Sequence, residues 1–183
     1  MIYPIYLYGH PVLRKRAKEI DTGNMEIKQL VNEMFETMYK AHGVGLAGPQ
    51  IGKPLRLYVI DATPMAEAHP ELEGFKRAFI NPEIIEHSEE TTAFEEGCLS
   101  IPGIYEQVKR YKTLTMNYLD ENLQKKTEDF IGMQAVVVQH EYDHLNGVLF
   151  TDKIAPLRKR LLKSRLAAIA KGKTKTEYKT VIR

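Results

Sequence analysis

The chain has a single cysteine, Cys98, and no tryptophan. One cysteine excludes an intrachain disulfide and suits a reducing compartment, so a cytoplasmic protein is expected. No apolar run approaches the ~18 residues of a membrane span. The opening MIYPIYLYGHPVLRKRA has no basic leader before its short apolar stretch and does not read as a signal peptide. There is no internal repeat, no low-complexity segment, no phosphate-binding P-loop and no G-x-G-x-x-G, which sets a nucleotide cradle aside. What is present is ordinary: 183 residues, 43% hydrophobic and 27% charged, enough for one globular domain with a real core.

Charge is unevenly spread. Residues 157–183 carry ten Lys/Arg against one acid, Glu177, whereas residues 1–156 have a net charge of −7. An acidic body with a basic C-terminal part suggests a nucleic-acid partner or another anionic surface; a solvated terminal helix explains the same charges.

Periodicity supplies the elements. Ile27, Leu30, Val31, Met34, Met38 and Ala41 recur at helical spacing, predicting a helix over Met25–His42 with Asn24 as N-cap and Gly43 at its C-terminal cap. Strands are predicted at Leu55–Asp61, Ala78–Ile85, Ile104–Tyr111 and Thr113–Leu119, separated by turn-prone segments. Ala62–Phe75 reads as a long surface loop. Phe130–Leu145 turns helical again and stops at Asn146-Gly147; a last helix runs from about Pro156 to Ala170, with a Leu162, Leu166, Ile169 stripe. The remaining GKTKTEYKTVIR reads as a basic, weakly ordered tail over 171–183. Strands in the middle and helices at both ends indicate an α+β fold.

Chemistry concentrates in QHEYDH, Gln139–His144. His140 and His144 stand four residues apart, so on a helix they share one face and both imidazoles reach one ion. Glu141 is placed beside them to serve a metal-held water without being a ligand, the H-E-x-x-H pattern of hydrolytic metal sites. Two ligands are too few. Candidates for the third are Cys98, His10, His42, His69, His87 or a carboxylate. Among these Cys98 is set apart by its context, FEEGCLSIPG, and because thiolate and imidazole together suit zinc or ferrous iron.

GVGLAGPQ (Gly43–Gln50), EGCLS (Glu96–Ser100) and QHEYDH together resemble the three motifs of the peptide deformylase family, in the family's order. GHPVLRKRA and NGVLFTD add to the likeness, which spans roughly residues 2–165. The resemblance implies one catalytic domain over 1–170, with mixed or antiparallel strands packed around the central HExxH helix. It makes Cys98 the third ligand beside His140 and His144. One position is then left for water, and Glu141 acts as general base and acid. The family's oxyanion donors fall on the Gln50 amide and the Leu99 backbone N–H, and Gly45 joins this catalytic set. Val44 and Gly45 are expected along an extended peptide substrate. Met133, Val136 and Val137, which precede His140 on its helix, are expected to wall a pocket for a methionine side chain. Glu96 is expected to orient a histidine, and Arg110 to pair with Glu96 or Asp143.

The implied activity is removal of the formyl group from the N-terminal formylmethionine of new polypeptides, releasing formate. The implied cofactor is one divalent metal per chain, Fe2+ in the cell, with Zn2+, Ni2+ or Co2+ also suited to the site. The implied partners are nascent peptides and the ribosome, whose RNA the basic C-terminal helix would meet through phosphates; neither DNA nor a membrane is expected. Gly48 departs from the family, which usually has a second alanine there; it is expected to loosen a loop that Pro49 stiffens. Two further readings compete. A metallopeptidase would take its third ligand downstream, where neither histidine nor cysteine follows His144. A structural metal in a ribosome-binding module would want four ligands.

Overall fold

The computed structural model describes residues 1–23 and 26–182. The expected cap Asn24 and the first expected helical residue, Met25, lie outside the described residues. In chain order the elements are β1 (Ile5–Tyr6), α1 (Ile27–Lys40), β2 (Gly45–Ala47), β3 (Leu57–Asp61), β4 (Lys76–His87), β5 (Thr91–Cys98), β6 (Ile101–Tyr111), β7 (Thr113–Leu119), β8 (Lys125–Ile131), α2 (Gly132–Leu145), α3 (Pro156–Ala170) and β9 (Thr180–Val181). Five strands form an antiparallel sheet in the order β2-β3-β4-β7-β8, β5 and β6 form a separate hairpin, and β1 pairs with β9 in parallel. The fold is α+β in this sense: three helices with mainly antiparallel strands.

The sheet is buried on both faces around β3. Leu57 and Val59 join a core with Leu30, Val31, Met34 and Met38 of α1, while Tyr58 and Ile60 join a second core with Met133, Val136 and Val138 of α2. Alternate strand side chains point to opposite faces, so a continuous apolar run such as LYVI belongs in a strand covered twice. α2 is buried nearly all round, at Met133, Ala135, Val136, Val138, Gln139, Glu141, His144 and Leu145. It touches β2, β3, β6, β7 and β8. A helix so enclosed can carry polar chemistry only where other buried groups answer it.

Several local expectations change. Phe130 and Ile131 belong to β8 rather than to the helix: Phe130 pairs with Leu114, and Gly132 turns the chain at φ +53°. β8 itself, KKTEDFI, is mostly exposed and charged, which hid it from an apolar pattern; it is an edge strand, where charge discourages further pairing. At the end of α1 the left-handed residue is His42 (φ 57°), not Gly43. The His42 N–H bonds Tyr39 O and the Gly43 N–H bonds Met38 O, a Schellman closure.

The Ala62–Phe75 segment is not a bare loop. It holds two short 3-10 turns and buries Leu72 and Phe75, and Glu71 accepts the Met133 N–H at 2.9 Å, capping α2. The C-terminal tail also departs from expectation. Lys179 O and Val181 O accept the N–H groups of Ile5 and Leu7, so main-chain pairing, which needs no apolar pattern, orders a polar segment.

Candidate metal centre

A register shift between Glu96 and Cys98 interrupts the β5–β6 ladder at Gly97, and a bulge of this kind re-aims the side chains beside it. Gly97 leaves room there for the Tyr105 ring, which lies 2.5 Å from where a Cβ would stand. Cys98 Sγ and one ring nitrogen each from His140 and His144 then lie within 4.8 Å of one another, the only such group among the described residues. Cys98 Sγ stands 3.4 Å from His144 Nε2. His10, His42, His69 and His87 are not in this group.

The histidines are held from behind. His140 Nδ1 is 2.7 Å from Glu96 Oε1, which assigns the Nδ1 proton and leaves Nε2 for the cleft. Arg110 donates to both Glu96 oxygens at 2.8 Å and to Asp143 Oδ2 at 2.6 Å, so the expected alternatives for Arg110 both occur. Burial opposes charge on Glu96, but the hydrogen bonds from Arg110 and His140 outweigh it and hold the carboxyl at about 2. Burial, with the neighbouring charge of His140, pushes His144 well below the usual histidine range, favouring the neutral ring that a ligand must present.

Glu141 is buried, and its Oε2 has no hydrogen-bond partner. Burial raises its pKa to about 7. The glycines of GVGLAGPQ make room for the site's own side chains. A Cβ on Gly45 would overlap the Glu141 carboxylate, and one on Gly43 would meet Leu99 Cδ1 at 2.7 Å. Gly48 does not loosen the loop: it is buried, and a Cβ there would stand 2.7 Å from the carbonyl oxygens of both Lys53 and Leu55. Gln50, 1% exposed, accepts the Ala47 N–H and donates through Nε2 to Ser100 Oγ at 3.1 Å and Cys98 Sγ at 3.4 Å.

Gln50, Cys98, His140 and Glu141 open onto one cleft of about 530 Å³, also lined by Val44, Gly45, Leu99, Met133, Val136 and Val137. Glu96 borders it, whereas Arg110 stays behind in the core. The residues fit a divalent ion. A soft sulfur and two imidazole nitrogens converge, and Glu141 Oε2 is buried without a partner. Three residues that shape the site were not anticipated: Ser100, which takes the Gln50 amide; Glu71, which caps α2; and Tyr178, whose hydroxyl donates to Leu99 O at 2.7 Å. Ser100 sits inside EGCLS and could have been found there. Glu71 and Tyr178 carry no local signal.

Three protein donors beside a buried carboxylate, at the floor of an open cleft, define a hydrolytic metalloenzyme. A family model described as polypeptide deformylase matches residues 2–160. Similar proteins include the peptide deformylases of Christiangramia forsetii and Flavobacterium johnsoniae, 52% and 50% identical, each over 98% of this chain and 95% of the relative. Among solved structures, the peptide deformylase of Thermotoga maritima shares 42% identity at a TM-score of 0.77, covering 85% of this chain and 99% of its own. That of Legionella pneumophila shares 38% at 0.81, covering 94% and 98%. The chain belongs to the polypeptide deformylase family, metal-dependent enzymes that remove the N-terminal formyl group. Its activity is that hydrolysis, on formylated nascent peptides.

Proposed function

We propose that Cys98, His140 and His144 hold one divalent metal and that the substrate begins with formylmethionine. The convergence of these three donors beside the unpartnered Glu141 carboxylate carries the reading. When bound, the ion supplies Lewis acidity and lowers the pKa of water towards ~7. Glu141 takes a proton from the attacking water and returns it to the departing amine. The Gln50 amide and the Leu99 N–H donate to the formyl oxygen as it gains charge.

Glu96 fixes the His140 ring, and Arg110 fixes Glu96. Val44 and Gly45 lie along the substrate main chain, and Met133, Val136 and Val137 receive its methionine side chain. On this reading residues 1–170 form one catalytic domain organised around α2. The test is formate release from formyl-Met-Ala-Ser by wild type, Glu141→Ala and chelator-treated enzyme. Activity in the first alone supports the assignment, whereas formate production by Glu141→Ala at the wild-type rate would remove the proposed acid/base.

The donor set suits Fe(II) as the cellular ion, with Zn(II), Ni(II) and Co(II) as replacements. Metal analysis after anaerobic purification, with loss of activity in air, tests iron. The enzyme acts in the cytoplasm at the ribosome, docked through α3. Arg158 is engaged by Glu106 and Arg165 by Gly103 O, while Arg160 and Lys163 are exposed and available to phosphates. Among the described residues no helix is long and apolar enough to cross a membrane. Reversing both charges, Arg160→Glu with Lys163→Glu, should weaken ribosome binding and flatten its salt dependence. Unchanged binding would sink the docking role.

A further inference from the structure

The mechanism leaves Tyr178 unused, yet its hydroxyl donates to the carbonyl oxygen of Leu99, the residue after Cys98, at 2.7 Å. The segment carrying it lines the same cleft as Cys98 and Glu141, through Lys175, Thr176, Glu177 and Tyr178. Backbone ties join that segment to β1, and the stretch after β1 to the turn. Ile5 N–H donates to Lys179 O at 2.8 Å, and Tyr8 N–H, two residues beyond β1, donates to Ser100 O at 2.8 Å. The Cys98–Ser100 turn, β1 and the C-terminal segment therefore form one hydrogen-bonded unit at the rim of the cleft.

We propose that Tyr178 is a positioning residue that holds the Leu99 backbone in the orientation the reaction uses. Leu99 and Ser100 form the two-residue turn between β5 and β6; the Cys98–Ile101 pair closes its base, and the two residues themselves lie outside the ladder. The Leu99 carbonyl lies in the peptide plane that Leu99 shares with Ser100; with Cys98 held on the other side by its pairing to Ile101, fixing that plane narrows the φ and ψ open to Leu99 and so the direction of its N–H. The ring of Tyr178 is half-buried against the α1–α3 core, so the hydroxyl is delivered from a rigid base. The inference rests on the assignment of the Leu99 N–H as an oxyanion donor. It extends the working site to a segment that supplies no ligand and no acid or base.

The test uses the full chain loaded with zinc, comparing wild type with Tyr178→Phe, which keeps the ring. Backbone order parameters of Leu99 and Ser100 are expected to fall from about 0.85 towards about 0.6. On formyl-Met-Ala-Ser, kcat is expected to fall about tenfold with KM within about twofold, the pattern of a group that matters in the transition state. The melting temperature is expected to stay within about 3 °C, since one hydrogen bond near the surface is removed. Unchanged order parameters overturn the proposal, whatever the rate. Lower order parameters with unchanged kcat leave the clamp standing and retire the donor role of Leu99 instead.

Discussion

Helix α2 and the segment from Lys173 to Ile182 both reach the cleft, but they are held there by different means. Behind α2 stands a chain of buried charges: His140 on Glu96, Glu96 on Arg110, Arg110 on Asp143, with the Arg110 side chain 1% exposed. The C-terminal segment is held by a two-residue strand and one tyrosine hydroxyl, with an exposed His42–Glu177 pair 3.9 Å apart beside it. Breaking a buried pair leaves a charge uncompensated, a cost of roughly 3–5 kcal/mol, whereas a neutral hydrogen bond contributes about 1 kcal/mol. The α2 side of the cleft is therefore held by buried charge, and the C-terminal rim by fewer and weaker polar ties.

Substitutions on the two sides test this difference. Glu141→Gln keeps shape and metal but removes the titrating oxygen, so kcat should fall by about 10²–10⁴ with metal content unchanged, read by formate release and metal analysis. Glu96→Gln removes the first charge behind α2; metal affinity should drop by about 10–100-fold in competition with a chelator. An unchanged affinity would mean the buried network does not serve the ligands.

Stability effects come next. Gly48→Ala places a methyl against two carbonyl oxygens and should cost about 1–3 kcal/mol in thermal unfolding. Glu71→Ala removes the cap of α2 and should cost about 1 kcal/mol, with the histidines still in place. The smallest effect is pH-dependent and concerns Asp152. Burial alone would raise its pKa, but Arg14 and the Leu149 N–H outweigh burial and set it below the usual carboxylate value. A depressed acid adds stability above its unfolded pKa of about 3.9 and loses it as pH falls through the folded value. Asp152→Asn should thus be about 0.5 kcal/mol less stable than wild type at pH 7, with the gap closing at the acid end. Urea midpoints near pH 7 and pH 3 would show it.

Residue type and spacing pointed to His140, Glu141 and His144 as a metal site with Cys98 among the candidates for a third donor, and the family resemblance supplied the rest of the proposed set. Two histidines four apart, a glutamate beside them and one cysteine in a glycine-flanked turn have few other uses together. Strands of the buried sheet were readable for the same reason that they are buried: β3 is an apolar run from Leu57 to Ile60, and β7 has the predicted bounds Thr113–Leu119. What escaped was set by partners distant in sequence. β8 is polar because it is an edge. Glu71 looks like any surface acid until α2 starts beside it. Tyr178 sits among lysines and threonines, and only the fold brings it to Leu99. Gly45 was expected to admit a substrate backbone, and the nearer reason for its missing side chain is Glu141.

The parallel pair β1–β9 joins residue 5 to residue 180 beside the Cys98 turn. During synthesis this closure cannot happen until the chain past residue 180 has left the ribosome, long after Cys98, His140 and His144 are available to a metal. The pairing at the rim of the cleft is therefore among the last contacts that a newly made molecule can form.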